Sequence, residues 1–579
     1  MKQTQKQLHF TFGPVQEFVS EARKTVDLRC GSYLISYLAA HAINSALEVG
    51  AREEDFFPKI VGNPLLEAVR EPDKRSGSPG QAASVGSLPN RFSVLVDSNE
   101  KGRKLARAAE DGLKSAWKAA ADACWKHLTE RHGQLKNRAG VWDRQVANLW
   151  ETGWVISDDP RALARRKDMR AFPSSREPSR KCTVCGRREE LGNTGFYRAF
   201  SERFGTGFLN ADKERLCAVC LVKRTLTLPR VGEEAFGWKA LSGTFPSTPD
   251  IAADPWQREV IRDERYEEAR NKFSQAAGKP FESAPGTYFF PAYREDFPEE
   301  QTRKLNSALP ALVKAVGSAP RPTYAILAMD GDNMGARLSK LDGDGRAELS
   351  ERILDFSLRV LRAVEGGEGR SRLVYAGGED VLALLPMDRA LSVAWKVREL
   401  YRGTFEDFDE SHREELEDDS TISAGLLFCP MTLPLRAATR EAHRLLDEDA
   451  KDRAGRDALA VGVWKGGGET LKVARKWGRQ SWVEELIRMT AERESPYPSR
   501  FLYQARGIVG GAAKDFDIET VEKLLALEYL GSREERFQTK NMDEAEKRIA
   551  PLVEMSRTGR NSLDPSLFRL VRFFYEEEM

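Results

Sequence analysis

Three short stretches of this sequence carry residue types that could do chemistry together. Asp330-Gly331-Asp332 closes an apolar run, Gly377-Gly378-Glu379-Asp380 sits between two others, and Ala450-Lys451 followed by Gly455-Arg456 comes after them. A two-glycine turn lets a hairpin tip take positive φ, so it would present Glu379 and Asp380 where two strands end. If the run Tyr324 to Met329 lies beside that hairpin, Asp330 arrives from the neighbouring strand end, with Asp332 close behind. Carboxylates so crowded repel one another unless a cation neutralises them, and oxygen-only ligand sets suit Mg²⁺ or Mn²⁺. A pair of such ions serves nucleotidyl transfer, one acidifying an attacking 3′-hydroxyl and the other steadying a triphosphate and its leaving pyrophosphate. Lys451 and Arg456 could then present cations to the phosphates. An isolated Gly-Gly-Glu-Asp is more often an ordinary polar turn, and Lys451 alone more often a surface lysine. The combination of a strand ending in Asp-Gly-Asp, a hairpin after it and cations downstream favours catalysis.

A second constellation is four cysteines in two Cys-x-x-Cys pairs, Cys182/Cys185 and Cys217/Cys220. Each pair presents two thiolates to one ion, and two pairs complete a tetrahedral structural Zn²⁺ site, with the stretch between them forming a small inserted subdomain. Redox-active or disulfide-bonded cysteines are the competing reading. Cys30, Cys124 and Cys429 read as buried apolar residues. The basic run from Arg161 to Lys181, with Arg165, Arg166, Lys167, Arg170, Arg176 and Arg180, could meet RNA phosphates or simply be a solvated face.

The elements that must position these groups are clearest between Tyr324 and Trp464. A strand, Tyr324 to Met329, leads to a helix with Leu349, Ile353, Phe356, Val360 and Val364 on one face. Strands Leu373 to Ala376 and Val381 to Leu385 flank the Gly-Gly turn, and a second helix aligns Ala390, Val393, Val397 and Leu400. Strand, helix and strand follow at Thr421 to Phe428, Leu435 to Asp447 and Ala458 to Val463. The order β-α-β-β-α-β is that of a ferredoxin-like or palm domain. Glu406 to Asp419 reads as a solvated acidic loop. Upstream, Leu8 to Phe12 and Phe92 to Val96 read as strands, Lys101 to Glu130 as an Ala-rich helix, and Tyr33 to Ala40 as a buried helix opening after Gly31-Ser32.

The chain has 579 residues, enough for roughly three to five domains. Hydrophobic residues at 41% and charged residues at 31% supply cores and exclude dominant disorder. Ninety basic against 89 acidic residues leave a formal net charge of +1, so any nucleic-acid contact must rest on local patches. No apolar run approaches the ~18 residues a membrane helix needs. With a polar start and only seven cysteines, a cytoplasmic location without membrane contact is expected.

The Gly377-Gly378-Glu379-Asp380 hairpin after Met329-Asp330-Gly331-Asp332-Asn333-Met334-Gly335 resembles the second palm domain of the large subunit of type III CRISPR ribonucleoprotein effectors, in particular the Cmr (type III-B) branch. That palm is similar to those of GGDEF diguanylate cyclases and family-B-like polymerases. Phe12-Gly13-Pro14-Val15-Gln16-Glu17-Phe18, Ala22-Arg23-Lys24-Thr25, Asp27-Leu28, Gly31 to Leu38 and Leu88-Pro89-Asn90-Arg91-Phe92 resemble the first palm of the same family. So do the cysteine module and Phe245-Pro246-Ser247-Thr248. The likeness spans most of Leu8 to Trp464.

It implies target-RNA-activated synthesis of cyclic oligoadenylate from ATP, one ATP on each palm. Asp330, Glu379 and Asp380 would act as catalytic and metal-holding residues, with Asp332 assisting. Gly377, Gly378, Lys451 and Arg456 would lie at the nucleotide. Gly31-Ser32 would receive phosphate at a helix N-terminus on the opposing palm, or be an ordinary N-cap. The implied partners are the small subunit, the subunit that binds the guide end, guide RNA and target RNA.

Two departures stand out. The family turn is usually Gly-Gly-Asp-Asp, whereas Glu379 is one methylene longer. Many members begin with an HD nuclease domain, whereas this sequence starts at the first palm and holds no His-Asp dipeptide, so DNA cleavage by it is not expected.

The expected fold is α+β and multidomain, with two ferredoxin-like palm (nucleotidyl cyclase/GGDEF-like) domains, a zinc-binding insertion and helical domains. The divisions are 1–165 first palm, 166–235 zinc-binding four-cysteine insertion, 236–318 helical domain with a return to the first palm near its start left open, 319–475 second palm, and 476–579 helical bundle. Two rivals to the cyclase reading stay open: a noncatalytic scaffold of the same complex, and a nucleotidyltransferase making a different messenger.

Overall fold

The computed structural model describes residues 6–71, 81–159, 162–163, 177–205, 208–241, 245–465, 468, 470–478, 482–491, 494–511, 516–531, 535–559 and 562–575. The first sheet grows from β1 (Lys6–Gly13), whose Leu8, Phe10 and Phe12 are buried at alternate positions. Helix α1 (Thr25–Glu48) follows. It is buried almost all round, as a helix central to a core must be. Then come β2 (Phe56–Phe57), β3 (Arg91–Val96), the Ala-rich helix α2 (Asn99–Arg131) and β4 (Glu151–Ser157). The strands lie in the order β2-β3-β1-β4, and every pair is antiparallel. This is the ferredoxin-like arrangement.

The second sheet repeats the plan. It contains β5 (Thr323–Gly331), helix α3 (Gly343–Glu365), β6 (Arg372–Gly377), β7 (Asp380–Pro386), helix α4 (Ala390–Ser411) and β8 (Ile422–Pro430). Two further strands, β9 (Ala458–Trp464) and β10 (Thr470–Lys476), extend it to the order β10-β9-β8-β5-β7-β6. β9 runs parallel to β8 after a helical crossover, Leu435–Arg444 continued by Leu445–Arg453. Strand β5 is apolar along nearly its whole length because both faces are covered. Ala325, Leu327 and Met329 pack with α3, α4 and the C-terminal helices, while Tyr324, Ile326 and Ala328 pack with Ile251, Trp256 and Val260 of the Thr248–Arg262 helix. The helices on either side of the second palm in sequence thus cover its two faces.

The two sheets meet at β6. Ala376 N–H donates to Gly86 O at 3.0 Å, forming a bridge between Gly86 and Tyr375, and Ser32 Oγ donates to Val374 O at 2.9 Å. Against the helices of the first palm the cysteine module packs a short helix (Ala218–Thr225) that is buried throughout. Its Arg224 donates to both carboxylate oxygens of Asp27 (2.5 and 2.7 Å) and to Glu214 (3.1 Å), and its Lys223 donates to Phe18 O at 2.7 Å. No described helix is long and apolar enough to cross a membrane.

Two sequence expectations are corrected here. Gly31 and Ser32 do not open a helix: α1 begins at Thr25, and its start is capped by Asp27, which accepts from the backbone N–H groups of Arg23 (3.2 Å) and Lys24 (3.1 Å). Their own N–H groups therefore lie inside the helix, where i→i−4 bonds consume them. The acidic stretch Glu406 to Asp419 is not a loop throughout: Phe405 and Phe408 carry the buried face of α4 on to Ser411, whereas Glu414, Glu415 and Glu417 to Asp419 are exposed. Asp409 is buried on that face, paired with Arg337 and accepting from Ser420 N (2.6 Å) and Oγ (2.8 Å). Strand β10, which went unread, alternates buried Leu471 and Val473 with more exposed neighbours. Of the basic run, residues 161 and 164–176 lie outside the described residues, whereas Arg180 and Lys181 are exposed.

Candidate active site and metal centre

Strand register assembles the acidic edge. β5 pairs with β7 from Tyr324↔Pro386 to Met329↔Val381, so the next position sets Asp330 across from Asp380. Gly377 pairs with Asp380, leaving Gly378 and Glu379 as the two-residue turn, and Gly378 holds φ +70°. A side chain would strain that conformation, which explains the second glycine. Gly331 has a different reason: a β-carbon there would lie 2.9 Å from Glu379 Cβ and 2.6 Å from the Tyr401 hydroxyl. Only a residue without a side chain lets the Glu379 stem pass over β5.

Asp330, Glu379 and Asp380 are thereby brought together. Although Asp380 keeps solvent-facing surface, the protein crowded around it withdraws water from its carboxyl. Hydrogen bonding to Asp330 and the charges of Asp330 and Glu379 act in the same direction, so it sits well above the ordinary carboxylate range despite the pull of Lys451. The same acids, added to burial, raise the hydroxyls of Tyr375 and Tyr401.

Lys451 is the one predicted cation that reaches this edge, where its Nζ is ion-paired with Asp330 Oδ2 and stands 4.0 Å from Asp447. Partial burial lowers its pKa, but Asp330 more than offsets this and leaves the ammonium above its usual range. Lys451 is aimed by a departure from α-helix, since residues Leu445–Arg453 are a π-helix, a form often found at functional sites. Arg456 takes a different place. Its side chain is exposed, its φ is +65°, and its N–H donates to the Ala450 and Lys451 carbonyls, each at 3.1 Å.

Asp332 is turned inward. It is buried and accepts from Thr421 Oγ1 (2.9 Å), Ser423 Oγ (2.8 Å) and the Asp457 N–H (2.9 Å), which tie the end of β5 to β8 and to the turn before β9. Its oxygens are committed to those donors. Gly31 and Ser32 are buried at the junction with β6, where Ser32 bonds Val374 as described. Sequence reasoning passed over Tyr401. Its position four residues after Val397 marks only the buried face of α4, and nothing in that period shows that the hydroxyl ends under Glu379.

The four cysteines converge as well. All are buried, and their Sγ atoms lie within 4.8 Å of one another. Sulfurs about 2.3 Å from a shared zinc stand about 3.8 Å apart at tetrahedral angles, and Cys185 Sγ is 3.8 Å from Cys217 Sγ. Cys182 Sγ accepts from Val184 N at 3.4 Å and Cys217 Sγ from Cys220 N at 3.5 Å, bonds that favour thiolates. This donor set fits a zinc ion.

Comparison with known proteins agrees with this layout. Residues 323–460 match the family described as Cas10/Cmr2, second palm domain, and residues 7–122 match the N-terminal region of the CRISPR-associated protein Cmr2. The Cmr2 subunit of the Pyrococcus furiosus CRISPR Cmr system is 24% identical over 676 aligned positions, covering 98% of this chain and 74% of the relative. Among solved structures, a chain of the type III-B Cmr-β complex in its apo state has a TM-score of 0.69 at 14% identity, over 99% of this chain and 82% of that one. A chain of the same complex bound to cognate target RNA has a TM-score of 0.62 at 14% identity, over 99% and 83%. At such identities the likeness is one of fold.

Proposed function

We propose that this chain, which belongs to the Cas10/Cmr2 family of type III-B CRISPR large subunits, joins ATP molecules into cyclic oligoadenylate when its guide-bearing complex engages target RNA. The observation that carries the reading is the convergence of Asp330, Glu379 and Asp380 at one sheet edge with Lys451 against them. Three carboxylates facing one ammonium leave net negative charge, and their all-oxygen donor set fits Mg²⁺ or Mn²⁺. Bound there, such ions supply charge neutralisation at the phosphates and acidify a 3′-hydroxyl. The chain's own residues do the rest. The hairpin fixes Glu379 and Asp380 beside Asp330, and Asp332 pins the end of β5 through Thr421, Ser423 and Asp457. Lys451 holds a positive charge within reach of a triphosphate, and Gly377, whose missing side chain leaves room for the Tyr375 hydroxyl, and Gly378, which takes the positive φ, set the turn at the nucleotide. Ser32, buried in the first palm, supports β6 and so sets the hairpin's height relative to the opposing palm.

The structural relatives are parts of Cmr-β complexes, one with cognate target RNA. On that basis the partners of this chain are other Cmr subunits, guide RNA and target RNA, while the convergence of Cys182, Cys185, Cys217 and Cys220 supports a structural Zn²⁺ in the cysteine module. The test is to incubate the assembled complex, guide and matching RNA with ATP and Mg²⁺ and analyse the products by mass spectrometry. Oligoadenylate that disappears with Asp380→Ala is the expected result. Normal target-RNA binding without nucleotide turnover, or product unchanged by that substitution, would refute the reading.

A further inference from the structure

Tyr401 is buried, with 1% of its surface exposed, and its ring is locked edge-on against Phe356 (centroids 4.9 Å apart) and tilted against Phe405 (4.6 Å). Its hydroxyl has no hydrogen-bond partner among the described residues. Buried donors are rarely left unpaired, because they give up their bonds to water without replacement. Tyr33, Tyr324 and Tyr529 also bury hydroxyls that lack partners, but Tyr401 differs in where its hydroxyl ends. The point a β-carbon on Gly331 would occupy is 2.6 Å from that hydroxyl and 3.2 Å from Glu379 Cγ. The hydroxyl and Cγ are therefore less than about 6 Å apart, measured through that shared point. The Glu379 carboxyl carbon is one bond beyond Cγ, and rotation about the side-chain bonds can turn it toward the hydroxyl.

We propose that Tyr401 is a positioning residue for nucleotidyl transfer, its hydroxyl donating a hydrogen bond to the Glu379 carboxylate when that carboxylate engages a divalent cation. The proposal rests on the reading of Asp330, Glu379 and Asp380 as cation ligands. A carboxylate that holds a cation through one oxygen is oriented by a donor on the other, and such outer partners matter to metal affinity. It also gives the extra methylene of Glu379 a purpose. On this proposal Glu379 reaches over Gly331 to both the cation and Tyr401, and aspartate, one methylene shorter, brings its carboxylate less far toward the hydroxyl.

The test is Mn²⁺ titration of the full chain, followed by the loss of free-ion electron paramagnetic resonance signal. Tyr401→Phe, which removes one oxygen and keeps the ring, is expected to weaken Mn²⁺ binding about tenfold with an unchanged melting temperature. In a Glu379→Asp background the same substitution is expected to change affinity less than about twofold, because the partner no longer reaches. Parent-like Mn²⁺ affinity in Tyr401→Phe, or the same loss in both backgrounds, would overturn the proposal. Mn²⁺ binding that ignores Asp380→Ala would overturn the cation-site reading itself and the role of Tyr401 with it.

Discussion

Replacing Gly331 by alanine adds one methyl group to the edge proposed to carry the chemistry, and its consequence can be sized from contacts. The backbone of Gly331 lies outside the left-handed region, so alanine can adopt it and any effect is steric. The new Cβ would meet the Tyr401 hydroxyl at 2.6 Å and Glu379 Cβ at 2.9 Å. Carbon atoms rest about 3.5–4.0 Å apart, so Glu379 must retreat by roughly 0.6–1 Å. The rings of Phe356 and Phe405 confine Tyr401, which leaves the hairpin as the part that yields. A displacement near 1 Å at a reacting constellation costs about 10²-fold in rate, while one methyl of overpacking costs about 1–3 kcal/mol of stability. The expected variant therefore stays folded, assembles and binds target RNA, yet forms oligoadenylate about a hundredfold more slowly. Rates from the assembled complex, with melting and RNA binding as controls, check this. Adding Tyr401→Phe relieves the 2.6 Å contact but not the 2.9 Å one, so the double variant recovers little. A Gly331→Ala variant with more than about a third of the parent rate would refute the claim that this gap sets the position of Glu379.

Three further outcomes are expected. Lys451→Met removes the ammonium that competes for Asp330, so Mn²⁺ should bind the nucleotide-free chain about tenfold more tightly, equivalent to roughly 1.4 kcal/mol for a half-buried pair, while product formation falls; an unchanged Mn²⁺ isotherm would contradict this. Arg224→Met strands Asp27 and Glu214 in the interior and should cost about 3–5 kcal/mol, read as faster hydrogen exchange along α1. Burial raises both carboxyls, but Arg224 more than offsets it and holds them below their ordinary range. Their contribution is thus present above about pH 4.5 and lost as pH falls through their native values, so the gap between parent and variant should narrow on acidification. Finally, Cys217→Ser should abolish binding of about one zinc per chain and make residues 182–220 sensitive to protease; undiminished metal content by atomic absorption would rule out the four-sulfur site.

The second palm was readable because its strands are long apolar runs buried on both faces, and turn chemistry at Gly377-Gly378 marks where they reverse. That period, followed through β5, β6, β7 and β8, also placed Asp330, Glu379 and Asp380 on one edge. What the linear pattern could not supply is depth. Asp332 has the same residue type and nearly the same position as Asp330, yet Thr421, Ser423 and the Asp457 amide turn it inward, and all three donors come from distant parts of the chain. The start of α1 was misplaced because the apolar run begins at Tyr33, whereas the capping residue Asp27 lies upstream in mixed sequence. The acidic stretch after Tyr401 was misread because charge hides the period of Phe405 and Phe408. The π-helix leaves no compositional mark, so the aim of Lys451 was visible only in three dimensions.

Strand β6 would be the free margin of the second sheet were it not for Gly86 and Ser32, which occupy the outward-facing Ala376 N–H and Val374 carbonyl. An open margin invites pairing with another chain, so the first palm serves the second as a built-in chaperone against self-association. A second palm transplanted alone would bring its chemistry but also an adhesive border. The paired architecture therefore limits how this fold can be cut apart and reused: a fragment that keeps the acidic edge soluble must carry residues 32 and 86 along with it.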